Sequence, residues 1–251
     1  MVVRELRYDG FTAAELADRL DSPRCLVLSR VTSTLDLVHA LAAEGAPAGT
    51  VVLADEQVAG RGQRGRVWLS PAGVGVWLGY LVRPDTCAAG GVLSVRVGLA
   101  VVAALGDLSA SAQLKWPNDI LLDGKKLAGV LCEARAVAGE PGWVAVGIGL
   151  NVRGPLPGEV AERAVALADV VAGVTRARVL ERLVPRLHRL AHDAKLTSEE
   201  RAVFERHDWL AGRLIREPVQ GWASGIDADG ALLVAGAAGR HRVMSGSIVT
   251  A

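Results

Sequence analysis

Hydrophobic positions along the first 150 residues alternate between the 3.6-residue period of helices and the shorter period of strands. Thr12 followed by Glu15 forms the capping-box pattern that starts a helix. The predicted helices cover residues 12–20, 33–45 and 90–108. The predicted strands cover 25–31, 50–55, a strand pair within 67–84, two strands within 112–137 around the turn Asp123-Gly124, and 142–152. Since helices and strands do not alternate strictly, we predict an α+β fold with a mixed, mostly antiparallel sheet.

The pattern changes after this region. Residues 160–210 are predicted to be mostly helical, most clearly in RARVLERLVPRLHRL. From Arg213 onward, short apolar runs separated by turns, including Asp229-Gly230, predict a small all-β barrel. The sequence therefore predicts two domains, 1–211 and 212–251.

The composition indicates an ordinary globular protein of 251 residues, 51% of them hydrophobic, with a mean hydropathy of +0.30. The net charge of +1 gives no basic excess, so we expect no nucleic-acid partner. The apolar run 97–105 is too short to span a bilayer, and the N-terminus has no apolar signal core. We expect no membrane partner and a cytoplasmic location.

The three cysteines, Cys25, Cys87 and Cys132, are far apart and form no C-x-x-C pair. This spacing argues against a disulfide framework or a zinc site. We expect the cysteines to act as small buried hydrophobic residues in a reducing compartment.

The stretch AGRGQRGRVW (59–68) contains the letters G-x-G-x-x-G. The dinucleotide fingerprint needs a helix directly after it, whereas strand-like sequence follows here. We therefore interpret the stretch as a flexible glycine loop that carries Arg61, Arg64 and Arg66. Guanidinium groups bind carboxylates and phosphates bidentately, although a solvated basic turn is an equally simple interpretation.

The stretch LKWPNDILLDGKKLAG places lysines and aspartates around a hairpin. Lys115, Asp119 and Lys126 could converge there, which would suit a magnesium-bound phosphate. Lys125 and Lys126 should point to opposite faces of a regular strand, so one of them is expected to be a solvated charge. A hairpin with exposed lysines is the alternative.

Two further stretches place polar groups at the ends of strands. GIGLNV (147–152) ends a strand in Asn151 after two glycines, which would let a ligand approach the backbone. A turn-forming asparagine explains the same pattern. Ser33 and Thr34, between a strand and a helix, could donate to a ligand, cap the helix, or do both.

Together these motifs resemble those of biotin protein ligases. The resemblance runs from about residue 25 to the end and is carried, in this order, by GRGQRGR, KWPND, KLAG and GIGLN. It implies a class II synthetase-like catalytic domain followed by an SH3-like barrel. The length and the short segment before the first helix resemble the monofunctional type, without a DNA-binding repressor domain.

The resemblance implies a two-step reaction. Biotin and MgATP would give biotinyl-5′-adenylate and pyrophosphate, and the adenylate would then acylate one lysine of a biotin carboxyl carrier protein. ATP and Mg²⁺ are therefore the implied cofactors, and an acyl-CoA carboxylase is the expected owner of the carrier. Homodimers are common in the family and would use a sheet edge.

The resemblance also implies roles for individual residues. The residues implied to bind biotin are Ser33, Thr34, Leu35, Gln57, Gly60, Arg61, Gly62, Gln63 and Lys126. The residues implied to bind ATP and the adenylate are Arg64, Arg66, Trp68, Lys115, Asn118, Asp119 and Asn151. The catalytic residues would be Lys126, Arg61, Lys115 and Asp119, with Mg²⁺ held through the phosphates and by Asp119.

The chain departs from the family pattern at several positions. Leu35 stands where asparagine is usual, Gln63 where arginine is frequent, and Gly75 and Gly79 where asparagine and serine are common; residues 244–251 lack a usual acid. We expect activity with weaker retention of biotin or adenylate. The alternatives are a lipoate or octanoate ligase on the same fold and a biotin-binding protein that has lost turnover.

Overall fold

The computed structural model describes residues 6–84, 90–137, 140–237 and 239–251. These residues form a seven-stranded mixed sheet with helices packed against it and a five-stranded antiparallel sheet near the C-terminus. The predicted α+β class and the mostly antiparallel sheet are confirmed. Cys87 lies outside the described residues, whereas Cys25 and Cys132 are free thiols within them.

The larger sheet has the strand order β1-β2-β3-β7-β6-β5-β4. Its strands are β1 (Cys25–Val31), β2 (Val51–Gln57), β3 (Gly75–Val82), β4 (Gln113–Lys115), β5 (Asp119–Leu122), β6 (Lys125–Val137) and β7 (Glu140–Asn151). Strands β1 and β2 are parallel, and every other neighbouring pair is antiparallel. The crossover between the parallel strands is a helix, which brings the N-terminus of that helix beside the end of β2.

In the described part of the chain, six α-helices accompany the sheets. They are α1 (Ala13–Arg19), α2 (Thr34–Ala43), α3 (Gly90–Gly106), α4 (Gly158–Ala161), α5 (Arg176–Leu187) and α6 (Ser198–His207). The predicted capping box at Thr12 is present, since its side chain accepts from Glu15 N and the Glu15 carboxylate accepts from Thr12 N. No helix within the described ranges combines the length and apolar character needed to cross a membrane.

Two strand predictions were wrong in detail. Residues 67–84 contain one strand, β3, instead of a pair, because Pro71 lacks an N–H and Gly73 adopts a positive φ of 75° just before it. Residues 112–137 contain three strands instead of two, because Pro117 separates β4 from β5. The predicted turn Asp123-Gly124 joins β5 to β6, and both of its residues have positive φ.

The segment 160–210 is less helical than predicted. Only α5 and α6 are long helices there, and irregular chain connects them. The buried Arg96 of α3 holds this connection, since its guanidinium donates to the carbonyls of Ala191, Asp193 and Lys195. A side chain far away in sequence supplies these contacts, so the local pattern could not reveal the loop.

The smaller sheet has the order β11-β10-β9-β8-β12. Its strands are β8 (Leu214–Glu217), β9 (Gly221–Ile226), β10 (Leu232–Gly236), β11 (Gly239–Val243) and β12 (Val249–Thr250). The predicted Asp229-Gly230 turn joins β9 to β10. Its Gly230 carbonyl accepts a 2.8 Å hydrogen bond from Nε1 of buried Trp116, which fixes the smaller sheet next to the lysine hairpin.

Candidate active site

A cavity of about 560 Å³ opens where the two sheets meet, a size within the usual range for small-molecule sites. Its floor is formed by Gly129 of β6 and by Gly147 and Gly149 of β7, with Gly129 paired to Gly149. A Cβ at Gly149 would lie only 2.3 Å from the Trp68 ring. The absence of side chains therefore lets the indole and a ligand approach the sheet backbone closely.

Polar side chains at one end of the cavity form a hydrogen-bonded chain. The Gln57 carbonyl oxygen accepts from Thr34 N at 2.8 Å and from Thr34 Oγ1 at 3.0 Å, and its amide donates to Ser70 Oγ at 2.8 Å. Ser33 caps α2 by accepting from Leu35 N at 3.3 Å. Ser33, Thr34 and Gln57, which the resemblance implies to bind biotin, all line the cavity.

Leu35 follows these residues on the first turn of α2. Its side chain is buried against Gly147, where a Cβ would lie 3.0 Å from it, and the residue also lines the cavity. Gly79 lets α2 approach the sheet, because a Cβ there would meet Val38 at 2.7 Å and the Thr34 carbonyl at 2.9 Å. The departures at Leu35 and Gly79 thus act on the same helix–sheet contact.

The lysine hairpin, residues 115–126, brings Lys115, Asp119 and Lys126 to the other end of the cavity, as predicted. Lys126 Nζ lies 2.6 Å from Asp119 Oδ1. Burial lowers the pKa of Lys115, an effect that Asp119 opposes and that Lys126 reinforces. Lys125 is exposed and does not line the cavity, whereas Lys126 does, so the expectation that one of the two lysines is a solvated charge is confirmed.

Asn118 and Asn151 line the cavity but use their amides to hold the backbone. Asn118 Nδ2 donates to the Val130 carbonyl at 2.9 Å. Asn151 Nδ2 lies 3.4 Å from the Lys126 carbonyl and 3.3 Å from that of Val165. Both asparagines therefore fix the strands that carry the lysines.

The arginine loop, residues 60–68, covers one side of the cavity. Arg61, Gly62, Gln63 and Arg66 line it. Gly60 and Arg64 are predicted site residues that the structure leaves out of the lining. They border a second, smaller depression along the loop, which also touches the four residues just named and Glu133.

Each exception has a local cause. A Cβ at Gly60 would lie 2.4 Å from the Trp68 carbonyl, so glycine is required there for packing. Arg64 has a positive φ of 58° and donates through Nη1 to Ser247 Oγ at 3.2 Å. Arg66 donates to the same hydroxyl at 2.9 Å through Nη2. The two arginines thus tie the loop to the smaller sheet.

Trp68 lies inside the cavity on the glycine floor. Lys126 Nζ sits 5.1 Å from its ring centroid, a cation–π distance. Its Nε1 is buried and has no hydrogen-bond partner among the described residues. An unsatisfied buried donor is costly, so a ligand acceptor beside it would be favourable.

Sequence reasoning missed residues that reach the cavity from distant segments. Arg163 lines the cavity, and its carbonyl accepts from Lys126 N at 2.9 Å. Ser247, in the connection between β11 and β12, lines it too. Neither residue belongs to a recognisable motif. Glu133, which contacts Arg61, had one signal: it is a carboxylate that directly follows the apolar run 130–132 of β6.

Among the described residues, the acidic side chains near the cavity are too few to hold a metal ion by themselves, but they suit a magnesium ion that enters bound to a phosphate ligand. Within the described ranges, no group of three His, Cys, Asp or Glu side chains could hold a metal ion. Asp119 is the acidic residue among those lining the cavity. The donor set therefore fits Mg²⁺ held mainly by phosphate oxygens, with Asp119 as the protein carboxylate.

Two family models match the chain. Residues 27–151 match the biotin/lipoate A/B protein ligase family. Residues 213–250 match the biotin protein ligase C terminal domain.

Individual relatives agree with these matches. The chain is 37% identical to a biotin–[acetyl-CoA-carboxylase] ligase of Paracoccus denitrificans, over 82% of this chain and 92% of the relative. It is 33% identical to the bifunctional ligase/repressor BirA of Bacillus subtilis, over 87% of this chain and 71% of the relative. Among solved structures, it resembles a biotin protein ligase from Aquifex aeolicus in complex with biotin and ATP. The TM-score is 0.74 and the identity 28%, over 90% and 97% of the two chains.

Proposed function

The chain belongs to the biotin protein ligase family and is an enzyme, and we propose that it activates biotin with MgATP and transfers the biotinyl group to a carrier lysine. The observation that carries this proposal is the single cavity that joins a polar pocket at Ser33, Thr34 and Gln57 to the Lys115–Asp119–Lys126 cluster. The first would hold the ureido ring of biotin, and the second the carboxylate and phosphates.

The charges at the lysine end suit the first step. Joining a carboxylate to the α-phosphorus of ATP brings two anions together and spreads negative charge over the phosphoryl oxygens. Lys126, held at 2.6 Å from Asp119, would contact the biotin carboxylate and the bridging oxygen. Lys115 would contact the departing phosphates. Fixed cations of this kind lower the barrier without moving during the reaction.

The adenine base of ATP would bind at the tryptophan that lies on the glycine floor. Trp68 has a free indole N–H within the described structure and lies beside Lys126. An adenine ring stacked on this indole would place its phosphates near the lysines. Asn151 would support this region indirectly, because its amide contacts the backbone of Lys126.

The reaction needs no covalent enzyme intermediate, and the two cysteines within the described residues fit that expectation. Burial raises the pKa of Cys25 and of Cys132 to about 12, so neither is a thiolate at neutral pH. Neither residue lines the cavity. The second step would be direct attack of a carrier lysine on the adenylate carbonyl, with AMP as the leaving group.

The arginine loop would act as a lid. A mixed anhydride is hydrolysed by water, so a ligase gains from covering it until the carrier arrives. Arg61, Gly62 and Gln63 lie over the cavity in a suitable place. Gln63 has no charge, which is the physical reason to expect weaker retention of the adenylate than in relatives with arginine there.

Biotin-dependent ATP–pyrophosphate exchange with Mg²⁺ tests the proposal. We expect exchange with biotin and much less with lipoate or octanoate. The polar groups from Thr34 to Ser70 could form hydrogen bonds with the ureido ring of biotin but not with an apolar tail. Exchange with lipoate or octanoate alone would indicate the right fold with the wrong substrate. Tight biotin binding without exchange would instead favour the binding-protein alternative.

The second step has its own test. A biotin carboxyl carrier domain of an acetyl-CoA carboxylase, incubated with the enzyme, biotin and MgATP, should gain the mass of one biotinyl group. Replacing the target lysine of the carrier by arginine should abolish that gain. Modification of the arginine variant would contradict transfer to a specific lysine.

Other expectations remain proposals. The division into 1–211 and 212–251 is supported by the separate family match from residue 213 and by β8 beginning at Leu214. A homodimer would use β1, which is the longer of the two edge strands of the larger sheet. Absence of a nucleic-acid partner rests on the net charge of +1, and a cytoplasmic location stays a prediction.

A further inference from the structure

Glu133, a carboxylate that takes no part in the proposed reaction, forms an ion pair with Arg61 of the arginine loop. Arg61 Nη2 lies 3.1 Å from Glu133 Oε2 and 3.0 Å from Asp36 Oδ1. Glu133 belongs to β6 and Asp36 to α2, so the two carboxylates come from two elements that also form the cavity. One guanidinium thus bridges the lid to both walls.

These ion pairs leave most of the Arg61 guanidinium free to bind a ligand. Among the described residues, Nε and Nη1 of Arg61 have no hydrogen-bond partner, and only Nη2 contacts the carboxylates. Arginine has five N–H donors in a fixed planar arrangement. Holding one nitrogen therefore orients the others, while Arg61 still lines the cavity.

Glu133 is itself held in position by His39, which in turn contacts Trp143. His39 Nε2 lies 2.9 Å from the same Oε2 atom that contacts Arg61, and Trp143 Nε1 lies 2.9 Å from His39 Nδ1. An indole N–H can only donate, so Nδ1 must accept and be unprotonated. The proton of a neutral His39 is then on Nε2 and is donated to Glu133. His39 is largely buried, with a side chain 15% exposed.

We propose that Glu133, oriented by Trp143 and His39, is a positioning residue that holds Arg61 and the loop against the cavity and so slows escape of the adenylate. This inference rests on the proposed function. Glu133 does not line the main cavity; it borders only the second, smaller depression along the arginine loop. It therefore acts through Arg61 and does not touch the reacting atoms.

The test compares formation and release of the adenylate in Glu133→Gln. Glutamine keeps the size and can still accept from His39, but it removes the charge that pairs with Arg61. We expect release of biotinyl-adenylate to accelerate about threefold, the effect of a partly exposed ion pair, with the pyrophosphate exchange rate little changed. Glu181→Gln is the matched control, since Glu181 of α5 pairs with Arg19 of α1 and neither residue lines the cavity.

A double-mutant cycle shows whether Glu133 acts through Arg61. In an Arg61→Ala background, Glu133→Gln should have no further effect on release. Trp143→Phe, which keeps an aromatic ring but loses the N–H donor, should accelerate release in the same direction by a smaller factor. Release from Glu133→Gln at the wild-type rate, or equal acceleration with and without Arg61, would overturn the proposal.

A second measurement separates this inference from the proposed function. Amide hydrogen exchange across residues 61–66 of the ligand-free protein should be faster in Glu133→Gln than in wild type and Glu181→Gln. If wild-type protein made no adenylate, the proposed function would fail, yet this exchange difference would still support the anchoring. Unchanged exchange in this segment would refute the anchoring whatever the enzyme does with biotin.

Discussion

The arginine loop and the lysine hairpin present cations to the same cavity in opposite ways. The hairpin is part of the sheet: Lys126 N donates to the Arg163 carbonyl at 2.9 Å, and Val130 N to that of Asn118 at 2.9 Å. The loop has few backbone hydrogen bonds of its own, among them Gly62 N to the Arg66 carbonyl at 2.8 Å. Side chains supply its remaining anchors.

This difference suggests a division of labour. Cations that stabilise a transition state work best when they are already fixed, as the sheet fixes the lysines. A cover must open for substrates and for the carrier, so anchors of low individual strength suit it. The loop is held at one end by Asp36 and Glu133 and at the other by Ser247.

The largest expected effect is on the hairpin. Lys126→Ala should reduce biotin-dependent pyrophosphate exchange by about 100-fold or more, because it removes the cation placed at the reacting carboxylate. Lys125→Ala, one residue away and exposed, is the matched control and should keep the wild-type rate. Equal losses in the two variants would remove Lys126 from the catalytic role.

The glycine floor connects the two regions and should be the next most sensitive. Gly149→Ala places a methyl group 2.3 Å from the Trp68 ring, so the indole must move. We expect the KM for ATP in the exchange assay to rise about tenfold, from a clash of this kind. Gly106→Ala, which meets nothing within 4 Å, controls for a general effect of adding a methyl group.

A smaller effect is expected where the loop meets the second sheet. Ser247→Ala removes the oxygen that accepts from Arg64 and Arg66, so the KM for ATP should rise about two- to threefold. Ser224→Ala, which loses an exposed hydroxyl bonded to the Leu233 carbonyl, should leave the KM unchanged. A fall in exchange rate without a change in KM would argue against this anchor.

The last prediction concerns stability beside the hairpin, not activity. Asp208 forms a bridge with Leu114, and burial raises its pKa from 3.8 to about 6. The folded state then binds more protons than the unfolded chain between these pH values, so the free energy of unfolding falls as the pH rises. A shift of about 2 pKa units corresponds to a fall of about 3 kcal/mol, complete above the raised pKa.

Replacing this carboxylate tests the assignment. Asp208→Asn can still accept from Leu210 N but cannot ionise. Urea unfolding at several pH values should show a flatter pH dependence for the variant, with a gain in stability relative to wild type at neutral pH. An unchanged slope would show that another group causes it.

The sequence predicted the lysine hairpin better than the arginine loop. Lys115, Asp119 and Lys126 were placed correctly, because the Asp123-Gly124 turn sets their register and the two-residue period separates Lys126 from Lys125. Although the break at Pro117 that separates β4 from β5 was not predicted, the turn between β5 and β6 was also predicted correctly. These features depend on neighbours in the chain, which the sequence displays directly.

The loop was predicted less well. Arg64 faces Ser247, about 180 residues later in the chain, and Gly60 serves packing against the Trp68 carbonyl. The anchors at Glu133 and His39 likewise depend on the docking of α2 and β6. Long-range side-chain contacts leave no periodic signal, so a pattern of residues could show that the loop is basic but not where each arginine points.

Amide hydrogen exchange of the loop (60–68) and the hairpin (115–126), measured with and without biotin and MgATP, tests this division most directly. We predict a large gain in protection in the loop on ligand binding, while the hairpin is already protected and changes little. Equal gains in the two segments, or a loop that is fully protected before ligand is added, would contradict it.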